Sequence, residues 1–262
     1  MTGPRPTILV LVAGTGTDVG KTWVAARLLE AWRRAGLSVA ARKPAQSFAV
    51  GSGPTDAEVL GAASGENPLS VCPPTRSYPV AFAPPMAASA LGLPPPTLAE
   101  LVGELAWPDP AVDVGLVETA GGVRSPQADD GDVIAMVSAI VPDHVLLVAD
   151  AGLGTINAVR LSLGALTEGR GHDIGHNPGT EAHRNHPPPA PVVVLNRFDP
   201  SSDLHRRNRA WLLHHDAIDA IDATEATSAG LSSLAIRLAE ARVETRRAAD
   251  EERAVDDQMD MA

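Results

Sequence analysis

The stretch Gly14-Thr15-Gly16-Thr17-Asp18-Val19-Gly20-Lys21-Thr22 combines residue types suited to holding phosphate. Glycines let a backbone turn tightly and approach an anion. Successive N–H groups, and the helix start that such a loop opens, attract phosphate oxygens. Lys21 is spaced to reach the β- and γ-phosphates of a nucleoside triphosphate, and the Thr22 hydroxyl to ligate Mg²⁺. Gly16, Thr17, Asp18, Val19 and Gly20 are the candidate cradle between strand and helix. The strict P-loop spacing is Gly, four residues, then Gly-Lys-Thr. Here Thr15 takes the first glycine's place and Gly14 stands one residue earlier, so the loop is a variant. An ordinary strand–helix turn also uses glycine, but it has no need of Gly-Lys-Thr at the helix start.

Two further stretches extend the site. Arg42-Lys43-Pro44 closes a second apolar run. In open parallel sheets ligands bind beyond the carboxyl ends of the strands, so Lys43 is expected in the same crevice as the loop. A solvated surface lysine is the plainer alternative. Glu118, in Val117-Glu118-Thr119-Ala120-Gly121-Gly122, follows an apolar strand and precedes a glycine turn, a place for an acid near Mg²⁺. Asp56 opens a helix, and Thr55 before it is the better cap. Mg²⁺ prefers few carboxylates together with hydroxyl, water and phosphate oxygens, so Thr22, Asp56 and Glu118 form the candidate metal set.

Elements that could position these residues are readable from apolar runs. Thr7–Ala13, Ser38–Lys43, Val112–Glu118, His144–Asp150 and Pro191–Asn196 read as strands, mostly apolar at consecutive positions, as strands covered on both faces are. Lys21–Ala35, Asp56–Ala63, Leu98–Leu105, Asp132–Ile140 and Thr155–Leu166 read as helices between them. The alternation predicts an α/β fold of the P-loop NTPase type: a doubly wound, mainly parallel sheet with helices on both faces. Residues 1–247 are expected to form one domain. Glu168–Pro189, rich in Gly, His, Asn and Pro, is expected to be a flexible inserted loop. Leu231–Arg247 is expected to be a helix on the sheet edge, and residues 248–262 an acidic, frayed tail.

Composition narrows the partners. The chain has 262 residues, of which 44% are hydrophobic and 3% aromatic, so its core must be built from Ala, Val, Leu and Ile. A formal charge of -11 disfavours nucleic acid and anionic membrane surfaces. No stretch approaches a membrane span, and the apolar start is too short for a signal peptide. The lone cysteine, Cys72, fits a reducing cytoplasm and reads as an inert small side chain.

Together the motifs resemble the dethiobiotin synthetases. The family's Gly-Thr-x-Thr-x-Val-Gly-Lys-Thr stands as Gly14–Thr22, its Lys-Pro-x-x-Ser as Lys43–Ser47, and its helix-starting Asp as Asp56. Its Glu-Gly-Ala-Gly-Gly stands as Glu118–Gly122, its Gly-x-Ile-Asn as Gly154–Asn157, and an Asn closing a late strand as Asn196. The matches keep the family's order over roughly residues 7 to 215. The resemblance implies ring closure: 7,8-diaminopelargonic acid takes up CO₂ as a carbamate, ATP phosphorylates it to a carbamic–phosphoric anhydride, and the second amine closes a cyclic urea. It implies catalytic roles for Lys43, Lys21, Thr17 and Ser47, and nucleotide contacts from the loop with Glu118, Gly121 and Asn196, the last reading the base. It implies substrate contacts from Thr17, Lys43, Ser47, Gly121, Gly154, Thr155 and Asn157, ATP and Mg²⁺ as cofactors, and a cytoplasmic homodimer with the substrate site near its interface.

The chain departs from this pattern at Thr119, which replaces a glycine and is expected to reshape the loop facing substrate, and at the bulky Gln46-Ser47-Phe48. His172, His176, His183 and His186 lie in a segment without regular scaffolding, against a metal site there. His214-His215 and Arg206-Arg207-Asn208-Arg209 read as a helix end and a solvated helix face. Three other readings share the nucleotide site. An amide-forming ligase of the cobyrinate amidase type usually carries a glutaminase domain, which is not seen here. A partitioning-type ATPase switch has a second lysine near the loop start, where Gly16 stands. A degenerate nucleotide binder would not need Lys21, Thr22, Lys43 and Glu118 intact.

Overall fold

A computed structural model describes residues 2–168, 190–216, 220–223 and 230–239. In chain order the elements are β1 (Ile8–Gly14), α1 (Lys21–Arg34), β2 (Val39–Arg42), β3 (Gln46–Ser47), α2 (Asp56–Ser64), α3 (Pro68–Val71), β4 (Ser77–Tyr78), α4 (Pro84–Ala90) and α5 (Leu98–Gly103). There follow β5 (Val114–Glu118), α6 (Val133–Ile140), β6 (His144–Asp150), α7 (Thr155–Glu168), β7 (Val192–Asn196), α8 (Asp203–His215), β8 (Ala220–Ala223) and α9 (residues 230–239). The main sheet has the order β2-β5-β1-β6-β7-β8, and every pairing in it is parallel.

The apolar runs are continuous because each strand is covered twice. Along β1, Ile8, Val10 and Val12 face one helical layer and Leu9, Leu11 and Ala13 the other, all essentially inaccessible. The first layer includes α1, α2, α3 and α9; the second includes α4 to α8. All five predicted strands and five predicted helices are found, with β6 at its predicted bounds. Helix α7 continues through Glu168, where the inserted loop was expected to begin. The rest of that loop, its four histidines and the 248–262 tail lie outside the described residues.

Helix α9 is a second adjustment. It packs within the α1 layer rather than along an edge: Leu231, Leu234, Ala235 and Leu238 join Leu28 and Trp32 in one buried cluster. Trp32 Nε1 donates to Ala235 O at 2.8 Å. Trp32→Ala removes this bond and a side chain 1% exposed, and should lower unfolding free energy by about 3–5 kcal/mol. A urea titration reads this directly, and a loss under ~1 kcal/mol would mean that α9 does not dock on α1 in solution.

Candidate active site

The carboxyl ends of β1, β2 and β5 lie side by side, since β1 and β2 both pair with β5. They carry the glycine loop, Lys43 and Glu118 to one place. Gly20 caps α1 with φ at +90°, and a Cβ there would stand 1.9 Å from Asn196 Nδ2, so both backbone and space call for glycine. No side chain caps this helix start, which leaves its N–H groups for an anion. Lys21 Nζ folds back to donate to Gly16 O at 2.9 Å. Its burial, with Lys43 nearby, lowers its pKa to about 8.

Lys43 is the hub. It is 2% exposed, which excludes the solvated-lysine alternative. Its Nζ lies 2.6 Å from Glu118 Oε1 and 2.7 Å from Asp56 Oδ2. Burial opposes its charge, but Glu118 and Asp56 outweigh burial and hold the ammonium pKa above its usual value. Burial likewise opposes ionised Asp56, and Lys43 more than offsets it, so that carboxyl sits low. Glu118 is wholly inaccessible, and burial pushes its pKa up although Lys43 works against it. The Thr22 hydroxyl lies 2.9 Å from both Asp56 Oδ1 and Glu118 Oε1, and its single proton serves one at a time. Glu118 Oε2 is buried without a hydrogen-bond partner among the described residues, a costly arrangement. A hydroxyl and two carboxylates, one of them carrying this orphaned oxygen, fit a hard divalent cation.

Asp56 stands where the sequence placed it because Thr55 forms a full capping box with Glu58. Gln46, one of the three residues of the bulky stretch, is 4% exposed. Its Oε1 accepts from Ala57 N–H at 2.9 Å and its Nε2 donates to Ser77 Oγ at 2.8 Å, so it braces the start of α2. Ser47 donates its hydroxyl to Phe82 O. Thr119 follows the end of β5. It is fully buried, and both its N–H and its hydroxyl donate to Val12 O, at 3.1 and 3.2 Å. Its hydroxyl therefore fastens the loop to β1.

Asn196 is tied to the glycine loop. Its Nδ2 donates to Val19 O at 2.9 Å, so this group positions the glycine loop and only Oδ1 is left to meet a base. The next residue was not singled out from the sequence. Arg197 donates to Asp18 O at 2.8 Å and pairs with Asp150 at 2.8 Å, holding Asp18 in its left-handed conformation at φ 58°. No spacing rule links positions so far apart.

Gly154 and Asn157 are placed elsewhere, at the start of α7. They line a cleft of about 670 Å³ with Leu153, Leu161 and Trp211, and none of the phosphate-site residues lines it. Thr155, beside them, is 5% exposed with its hydroxyl unpartnered among the described residues. Cys72 is 2% exposed, and burial pushes its thiol up to about 12, as suits an inert side chain. Arg206 and Arg207 pair with Asp203 along the solvated face of α8. Among the described residues no helix is long and apolar enough to cross a membrane.

A family described as "AAA domain" matches residues 9–175. The ATP-dependent dethiobiotin synthetase BioD of Anaeromyxobacter dehalogenans (strain 2CP-C) is 39% identical over 205 residues, 78% of this chain and 88% of its own length. Its namesake in Rhodococcus jostii (strain RHA1) is 38% identical over 159 residues, 61% of this chain and 68% of that one. The Mycobacterium tuberculosis (strain ATCC 25177 / H37Ra) protein of the same name is 39% identical over 160 residues, 61% of this chain and 69% of its own. Among solved structures, the cell division protein FtsY of Thermotoga maritima aligns with a TM-score of 0.48 at 14% identity, over 91% of this chain and 70% of that one.

Proposed function

Because the chain belongs to the dethiobiotin synthetase family, we propose that it is the ATP-dependent ligase that closes the cyclic urea of dethiobiotin from 7,8-diaminopelargonic acid and CO₂, in biotin biosynthesis. The observation that carries this reading is the convergence of Lys21, Lys43, Thr22, Asp56 and Glu118 at the ends of three adjacent strands. The carbamate oxygen attacks the γ-phosphorus as ADP leaves. The free amine nitrogen then attacks the carbamoyl carbon, and inorganic phosphate departs. Lys21 and Lys43 neutralise charge gathering on the transferring phosphoryl group. Ring closure is intramolecular, so holding the amine in place supplies much of the rate. Thr17 and Ser47 supply hydroxyls for the carbamate and diamine, and Asn196 Oδ1 an acceptor for the base.

Thr22, Asp56 and Glu118 would hold Mg²⁺, which supplies charge neutralisation to the phosphates when bound. Support for this is the oxygen set and the orphaned Glu118 Oε2. The N–H groups at the start of α7, with the buried Thr155 hydroxyl, suit a carboxylate. Within one chain they open on a cleft separate from the phosphate cluster, which supports a homodimer whose substrate site lies near its interface. Leu153 and Leu161, 91% and 67% exposed at that cleft, favour the same pairing. A cytoplasmic location follows, where ATP and bicarbonate are at hand.

The deciding experiment is mass spectrometry of a reaction of the diamine, bicarbonate, Mg²⁺ and ATP. A product heavier than the diamine by CO₂ less water, with phosphate released in step, is expected. Phosphate release that ignores the diamine, with no cyclic product, would leave the nucleotide site and remove the substrate. The amide-ligase and ATPase-switch readings predict that second pattern.

A further inference from the structure

Behind the Gly121–Gly122 turn stands Gln127, 3% exposed. Its carboxamide brackets one residue. Oε1 accepts from Ala120 N–H at 2.8 Å, and Nε2 donates to Ala120 O at 2.7 Å and to Ser125 O at 3.1 Å. A primary amide thus does for Ala120 what a neighbouring strand would do. Gln127 is itself tied down, since its N–H and that of Ala128 both donate to Gly131 O, at 2.9 and 3.0 Å.

The loop is pinned on both sides of the turn. Thr119 is fastened to Val12 O, as described above, and Gly122 N–H donates to Ser125 Oγ at 2.8 Å. A Cβ on Gly122 would stand 3.1 Å from Thr15 O, so the turn lies directly against the glycine loop. Gly121, at φ +64°, is Thr17's neighbour: a Cβ on it would lie 4.0 Å from Thr17 Oγ1. Its N–H has no hydrogen-bond partner among the described residues, although the N–H groups before and after it are both engaged.

We propose that Gln127 is a positioning residue for the reaction: by bracketing Ala120 it fixes the Gly121 N–H beside Thr17, as a donor for an oxygen of the reacting carbamate or phosphoryl group. The inference rests on the function proposed above. Gln127 touches no reactant and acts through Ala120 and Gly121. A donor aimed at developing charge is effective only when held in place, and a shift of about 1 Å can cost ~10²-fold in rate.

Gln127→Leu keeps the apolar stem and removes every hydrogen bond of the amide. The wild type and Gln127→Leu are compared by steady-state kinetics, ATP calorimetry and amide hydrogen exchange over residues 118–127. The expected result is a kcat ~10- to 100-fold lower, KM for ATP and calorimetric ATP affinity within about twofold, and faster exchange confined to this segment. A parallel loss of ATP affinity would mark a merely structural residue and overturn the proposal, as would an unchanged kcat. If Gln127→Leu does not fold, Gln127→Glu, which retains an acceptor for Ala120 N–H, is judged by the same readouts. If the wild type forms no cyclic product, the functional reading falls on its own. Exchange then decides for Gln127: acceleration confined to 118–127 upholds its hold on the loop, and wild-type exchange overturns it.

Discussion

Lys43→Ala is expected to bind triphosphate with affinity within about an order of magnitude of the wild type and to turn over ~10³-fold more slowly, or not at all. The split follows from where the ammonium sits. Its place is beyond the glycine loop, between Asp56 and Glu118 at 2.7 and 2.6 Å, whereas the loop's own N–H groups and Lys21 are the proposed cradle for the phosphates. Removing it deletes a charge needed most when negative charge is building on the transferring group. The same change leaves Glu118 buried beside Asp56 with its counter-cation gone. Breaking a buried pair in this way costs about 3–5 kcal/mol, so the variant should also unfold at lower denaturant. Single-turnover phosphate release and calorimetry with a non-hydrolysable triphosphate read the two properties separately. Full turnover by Lys43→Ala would remove Lys43 from the mechanism.

Lys21→Ala should show the opposite order of damage. Here ground-state affinity falls first, because among the described residues Lys21 Nζ has no close carboxylate partner and only Gly16 O as acceptor. Charge-assisted hydrogen bonds contribute about 1.5–3 kcal/mol, so triphosphate should bind roughly 10- to 100-fold more weakly. Calorimetry that found the affinity unchanged would contradict the phosphate site at its centre. The fold should be little affected, because Lys21 forms none of the close ion pairs that surround Lys43.

Much of this architecture was legible in the sequence because its strands are buried on both faces. His144–Asp150 is apolar at nearly every position, so its bounds can be read directly. The two-residue strands β3 and β4 and the short helices α3 and α4 were not legible. They span only two to seven residues, too few for any periodicity to develop. Lys21, Thr22, Lys43, Asp56 and Glu118 could each be named from spacing. What no spacing shows is that Lys43 meets both acids at once, which depends on β5 lying between β1 and β2. The fastening role of Thr119 is hidden for a related reason. A Cβ next to a glycine turn looks obstructive until the backbone turns it toward Val12. Arg197 and Gln127 act on backbone groups, which carry no side-chain signature at all.

The clamps on the glycine loop bear on how the protein is made. Val19 and Asp18 are held by residues 177 and 179 positions further along the chain, and Trp32, on the helix that the loop opens, by one 203 positions away. Synthesis runs from the N-terminus, so the loop leaves the ribosome long before anything that secures it. Until β7 and then α9 emerge, the nascent chain carries the loop's residues without the contacts that shape it. The glycine loop is therefore translated well before its clamps, and nucleotide can favour the folded state only once β7 and α9 have followed.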